Sequence, residues 1–141
     1  MKGMITTILY TMAVAAMVAG CATGGGVDNE ALIRQTLGGW TEGVTGGDIE
    51  KVMAAYSENF DHYEYGKKAS LKQFLGGLMD QGQFDNAEVS LDDAEITIEG
   101  DTAKVYPVDL EASFGGATLE LTLKREDDGV WRITTMEVEM F

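Results

Sequence analysis

The chain has 141 residues, 45% of them hydrophobic, and its ten Lys and Arg against 24 Asp and Glu give a formal charge of −14. That length suits one compact domain and is too short for two ordinary ones. A surface so acidic repels nucleic acid and anionic lipid headgroups, so neither is an expected partner. The single cysteine, Cys21, excludes a disulfide framework, and the single histidine, His62, excludes a multi-histidine metal site. Asp92-Asp93 and Asp127-Asp128 lack the spacing of an EF-hand loop and read as solvated turns, so no metal and no cofactor is expected.

At the N-terminus Lys2 supplies a positive start, residues 4–18 are uncharged and mostly apolar, and Val18-Ala19-Gly20 leads into Cys21. The apolar run has signal-peptide length and is short for a membrane span. The segment resembles the lipobox of bacterial lipoproteins, which implies cleavage before Cys21 and acylation of that residue. Residues 1–20 are then a signal peptide, residues 21–27 the acylated cysteine and a glycine-rich tether, and residues 28–141 a single domain. The resemblance implies a partner in the membrane itself and a place in the cell envelope. Ala22, rather than Asp, after the cysteine implies the periplasmic face of the outer membrane in a Gram-negative host.

Asp28 or Asn29 can cap a first helix whose apolar positions Ile33, Leu37 and Trp40 recur with helical spacing up to Gly46-Gly47. Asp48 is placed to cap a second, with Ile49, Val52, Met53 and Tyr56 on one face. A first strand is expected over residues 60–65. Ser70 is expected to cap a third helix with Leu71, Phe74, Leu75 and Leu78 buried, kept short by Gly76-Gly77. From Phe84 onward the apolar period changes to two and antiparallel strands are expected.

Gly115-Gly116 between two alternating runs predicts a two-residue hairpin turn. That turn sets Ala112 against Leu119, Leu110 against Leu121 and Val108 against Leu123, all apolar, and Glu111 against Glu120 on the other, solvated face. Pro107 marks a bulge or an unpaired edge position. In the last strand Trp131 and Ile133 have one parity and Met136 and Val138 the other, which leaves its register open. The greasy side of the sheet requires the helices as cover.

These elements make an α+β domain in which a curved antiparallel sheet wraps three N-terminal helices as a cone with an internal pocket. Trp40 in the first helix, Gly47-Asp48-Ile49, the run Met53-Ala54-Ala55-Tyr56-Ser57-Glu58-Asn59-Phe60, Ser70-Leu71-Lys72-Gln73-Phe74-Leu75, Gly100-Asp101-Thr102-Ala103 and Gly129-Val130-Trp131-Arg132-Ile133 follow one another as in a known group of proteins. In their order and spacing they resemble the nuclear transport factor 2-like superfamily, which includes the SnoaL-like and ketosteroid-isomerase-like proteins.

The resemblance implies a cavity between helices and sheet, lined by Trp40, Tyr56, Phe60, His62, Glu64, Val108, Leu110 and Leu121. Glu64 falls where the similar isomerases carry a carboxylate base, and Phe60, His62 and Glu64 would share one strand face by period two. Trp40 and Leu121 stand where those isomerases have an oxyanion-binding tyrosine and a protonated acid, so isomerase chemistry of that type is not expected. No serine sits in a Gly-X-Ser-X-Gly elbow, and the only thiol belongs to the anchor. The expected function is a noncatalytic, lipid-anchored domain that binds a small apolar ligand or pairs with a protein, including itself through the sheet. The alternative is an isomerase or hydro-lyase using Glu64 and His62 on a small apolar carbonyl or hydroxyl compound.

Overall fold

The computed structural model describes residues 28–141; the expected signal peptide, the expected acylation site Cys21 and the expected tether lie outside the described residues. Helix α1 (Asn29–Gly46) starts at Asp28, whose side chain accepts a hydrogen bond from the Ala31 amide at 3.1 Å. It ends at Gly47, which takes φ +65 in the left-handed region and turns the chain toward α2 (Ile49–Ala54). Asp48 caps α2 by accepting from the amides of Glu50 and Lys51 at 3.1 and 3.2 Å.

The expected strand over residues 60–65 is much shorter. Only β1 (Asp61–His62) is extended, pairing with β2 (Gly66–Lys67), and Tyr63, Glu64 and Tyr65 form the turn between them. The cause is local: His62 Nδ1 accepts from the amides of Glu64 and Tyr65 at 3.0 and 3.2 Å, which curls the chain before a second strand face can form. Phe60, His62 and Glu64 therefore do not share a face.

Helix α3 (Lys68–Asp80) begins two residues before Ser70, with Lys67 at the N-cap and no side-chain cap. It is also longer than expected, running through Gly76-Gly77 for 13 residues. Packing of Leu71, Leu75 and Met79 on the core outweighs the weak helix preference of the two glycines. Strands start later than Phe84, because residues 81–86 are occupied by turns.

The sheet holds β3 (Glu88–Ser90), β4 (Glu95–Glu99), β5 (Thr102–Ala112), β6 (Gly115–Arg125) and β7 (Trp131–Met140), all antiparallel. Its order is β3-β5-β6-β7, with β4 beside β3 on the same edge of β5. The β5–β6 hairpin turns at Ser113-Phe114 instead of Gly115-Gly116, since Ala112 pairs with Gly115, Leu110 with Ala117 and Val108 with Leu119. The register from Val108 to the turn thus differs from the expected one by an even number of residues, so the side chains of residues 108–112 and 117–123 keep their faces. Glu111 meets Gly116 and Glu88, while Glu120 meets Glu137, so the expected Glu111–Glu120 opposition does not occur.

Two bulges curve this sheet. One lies in β5 at Tyr106-Pro107, between the Val105–Leu121 and Val108–Leu119 pairs, where the Tyr106-Pro107 bond is cis. The other lies in β7 at Thr134, between the Thr122–Thr135 and Leu123–Ile133 pairs. The extra residue reverses parity, so Trp131, Ile133 and Met136 are all buried on the concave side. Val108, Leu110, Leu119, Leu121 and Leu123 are likewise buried there, Phe114 is half-buried, and α1 and α2 cover them with Ile33, Leu37, Trp40, Val44 and Val52.

Candidate functional site

The concave side of the sheet is incompletely filled where α3 crosses it. Of the α3 side chains only Leu71 is fully buried, Leu75, Leu78 and Met79 are half-buried, and Phe74 is 46% exposed. The space below them is an apolar groove of about 270 Å³ lined from α3 by Leu71, Phe74, Leu75 and Leu78, from the β1–β2 turn by Tyr65, and from the sheet and its β5–β6 turn by Leu110, Phe114, Ala117, Leu119, Met136, Val138 and Met140, with Phe84 between. A smaller inner chamber of about 50 Å³ adjoins it, lined deeper in the cone by Trp40, Val44, Val52, Tyr56 and Met79. Groove and chamber share Leu75, Phe84, Leu110, Leu119 and Met136, so a molecule entering between α3 and β7 meets one continuous apolar lining.

Neither space is lined by a charged side chain. The polar groups of the inner chamber are the Trp40 indole and the Tyr56 hydroxyl. Trp40 Nε1 donates to Tyr56 Oη at 3.3 Å, and that hydroxyl in turn donates to Met136 Sδ at 3.7 Å. Burial pushes the Tyr56 pKa up to about 12; the Trp40 hydrogen bond opposes this, and nearby Tyr65 adds to it. Tyr56 is a neutral donor at any physiological pH and has no capacity to act as a base. Tyr63 is exposed, whereas Tyr56 is buried, with Trp40 of α1 and Met136 of β7 at its hydroxyl.

The expected pocket residues divide. Trp40, Tyr56 and Leu110 line the chamber together. Phe60, Val108 and Leu121 are completely buried in the core and line neither space, because they pack against side chains from the helices and the last strand instead of facing the opening. His62 is buried between the stacked rings of Tyr63 and Tyr65, with ring centroids at 4.4 and 4.6 Å, and lines neither space. Glu64 is exposed in the β1–β2 turn, and its link to His62 runs through its backbone amide. Glu64 faces solvent and neither residue lines groove or chamber, so the structure does not bring Glu64 and His62 together as an acid–base pair inside the cone. Sequence reasoning did not single out Phe84, Met79 and Met136 as lining. For Met136 the obstacle was the Thr134 bulge; Leu75 and Leu78 were legible as the apolar stripe of α3.

A further cleft of about 250 Å³ lies on the other side of α1, against α2 and the β6–β7 turn, and includes Gln35, Thr36, Lys51 and Trp131. Two of its polar side chains, Thr36 and Lys51, are already engaged. Thr36 Oγ1 donates to the Trp131 carbonyl at 2.7 Å, and Lys51 pairs with Glu42 at 3.5 Å.

No family model matches the chain, and no curated protein sequence matches it. Solved structures do. A nuclear transport factor 2-like protein of unknown function from Pseudomonas putida superposes with a TM-score of 0.64 at 17% identity, over 81% of this chain and 89% of that one. A ketosteroid isomerase-like protein from Erwinia carotovora gives 0.65 at 13% identity, over 81% and 97%. A protein of unknown function with a cystatin-like fold from Nostoc punctiforme gives 0.65 at 14%, over 79% and 90%. Identities this low carry architecture and not activity. The chain has the nuclear transport factor 2-like fold.

Proposed function

We propose that this is a lipid-anchored envelope protein whose cone binds a small apolar ligand without transforming it. The observation that carries the reading is the uncharged lining shared by the groove and the inner chamber. It offers apolar burial in quantity and lacks a base, a nucleophile or a charged group to stabilise a developing ion. Pairing of two copies through the outer sheet face is the weaker reading, because Glu120 faces Glu137 and Glu88 faces Glu111 there, with Lys104 answering Glu120 at 3.7 Å. Two such faces would bring like charges together. The anchor rests on Cys21 and the signal-like stretch before it.

The test uses the full chain in lipid nanodiscs, with empty nanodiscs as the blank and an environment-sensitive naphthylamine dye as the apolar probe. Dye fluorescence should rise on binding and fall again in Leu75→Trp, which places an indole where groove and chamber meet. Equal dye binding by wild type and Leu75→Trp overturns the pocket reading. Cys21→Ala should shift the protein from the membrane to the soluble fraction of the expressing cells; continued residence in the membrane overturns the anchor.

A further inference from the structure

The Tyr56 hydroxyl is the one hydrogen-bond donor of the inner chamber whose proton is poorly used. The Trp40 indole proton is already directed at the Tyr56 oxygen. The Tyr56 proton is directed at a thioether at 3.7 Å, and methionine sulfur is a weak acceptor. A buried hydroxyl satisfied only by sulfur gains by exchanging it for an oxygen acceptor. All three side chains line the chamber, so such an acceptor would arrive by the groove that ends there.

The surroundings decide which acceptor. No Lys, Arg or His lines groove or chamber, so a carboxylate or phosphate head would be buried without a countercharge. The formal charge of −14 on the chain disfavours an anion further. A chamber of about 50 Å³ admits a head of a few heavy atoms, and the groove of about 270 Å³ admits the rest of a slender molecule. We infer that the ligand is a neutral, slender apolar compound ending in a carbonyl oxygen, seated head-first with that oxygen on the Tyr56 hydroxyl and its tail between α3 and β7. This inference rests on the apolar-ligand reading and adds the chemical class and the orientation.

Three probes of matched chain length separate the possibilities: methyl octyl ketone, decanoate and decane, each titrated at neutral pH against the full chain in nanodiscs by displacement of the naphthylamine dye. The ketone should bind about tenfold or more tighter than decanoate, whose charge has no partner in the pocket. Tyr56→Phe should weaken the ketone about five- to tenfold and leave decane unchanged. Met136→Leu removes the competing sulfur and should tighten the ketone severalfold, a gain that damage to the fold would not produce. Decanoate binding as well as the ketone, or ketone affinity indifferent to both substitutions, overturns the carbonyl inference while the pocket stands. Failure of all three probes to displace the dye overturns the pocket reading and the inference with it.

Discussion

Gly43 of α1 lies against Val52 of α2 so closely that a Cβ on Gly43 would stand 2.5 Å from the Val52 backbone nitrogen. This approach holds the two helices together at the narrow end of the cone and puts Val44 and Val52 side by side on the inner chamber. Its cause is the missing side chain and not backbone freedom, since Gly43 is in the interior of a helix.

Gly43→Ala should therefore lower stability. Alanine gains about 1 kcal/mol over glycine in a helix interior, but overlap with backbone cannot be relieved by a rotamer change and overpacking costs about 1–3 kcal/mol. Gly38, with nothing within 4 Å of its Cβ position, is the control: Gly38→Ala should stabilise by up to about 1 kcal/mol. Urea unfolding of both variants checks the opposite signs.

A second set of contacts ties the chain after α2 to the β6–β7 turn. Ser57 Oγ donates to Glu126 at 2.7 Å, and Arg132 reaches both Glu126 and Asp128 at 2.9 Å. Burial raises the Glu126 pKa, yet the hydrogen bonds from Ser57 and Arg132 outweigh it and leave the carboxyl below 4.5. The Arg132 hydrogen bond and the Val130 amide hold Asp128 below 3.8. Both folded values are depressed, so the unfolded chain takes up protons first. The stabilisation is present above the ordinary carboxylate values and is lost as pH falls through the lower folded ones. Arg132→Met should cost about 1 kcal/mol at neutral pH through the Glu126 pair. It should also flatten the fall in melting temperature below pH 4.5 relative to wild type. Parallel acid profiles would show that these carboxylates do not govern the acid limb.

His62 acts on the backbone. Its Nδ1 accepts two amide protons, so the ring proton is on Nε2, which is enclosed without a hydrogen-bond partner among the described residues. His62→Phe preserves a flat ring between Tyr63 and Tyr65 but removes the acceptor from both amides. Hydrogen exchange at the Glu64 and Tyr65 amides should quicken markedly, with a loss of about 1–3 kcal/mol in global stability. Unchanged exchange at those two amides would place the turn's stability in the aromatic stacking instead.

Local chemistry made several features legible before any tertiary contact was known. Asp28 and Asp48 cap the helices expected of them, Gly47 ends α1, and the alternation from Val108 to Ala112 and along β6 assigns those side chains to their faces. Each depends on neighbours within a turn of helix or on strand parity, which a single sequence carries. The pocket residues were legible only in part: Trp40, Tyr56 and Leu110 follow from the resemblance, whereas Glu64 and His62 were placed by counting along a strand that His62 itself cuts short.

What the tertiary structure alone decided is where periodicity breaks and which groups then meet. The Thr134 bulge brings Met136 to the same concave side as Trp131, and only that reversal places a thioether against the Tyr56 hydroxyl. The bulge at Pro107 was legible because proline lacks the amide proton, but the Thr134 bulge and the hairpin register arise from closing a curved sheet over helices, a condition imposed by residues far apart in the chain that no local window of sequence contains.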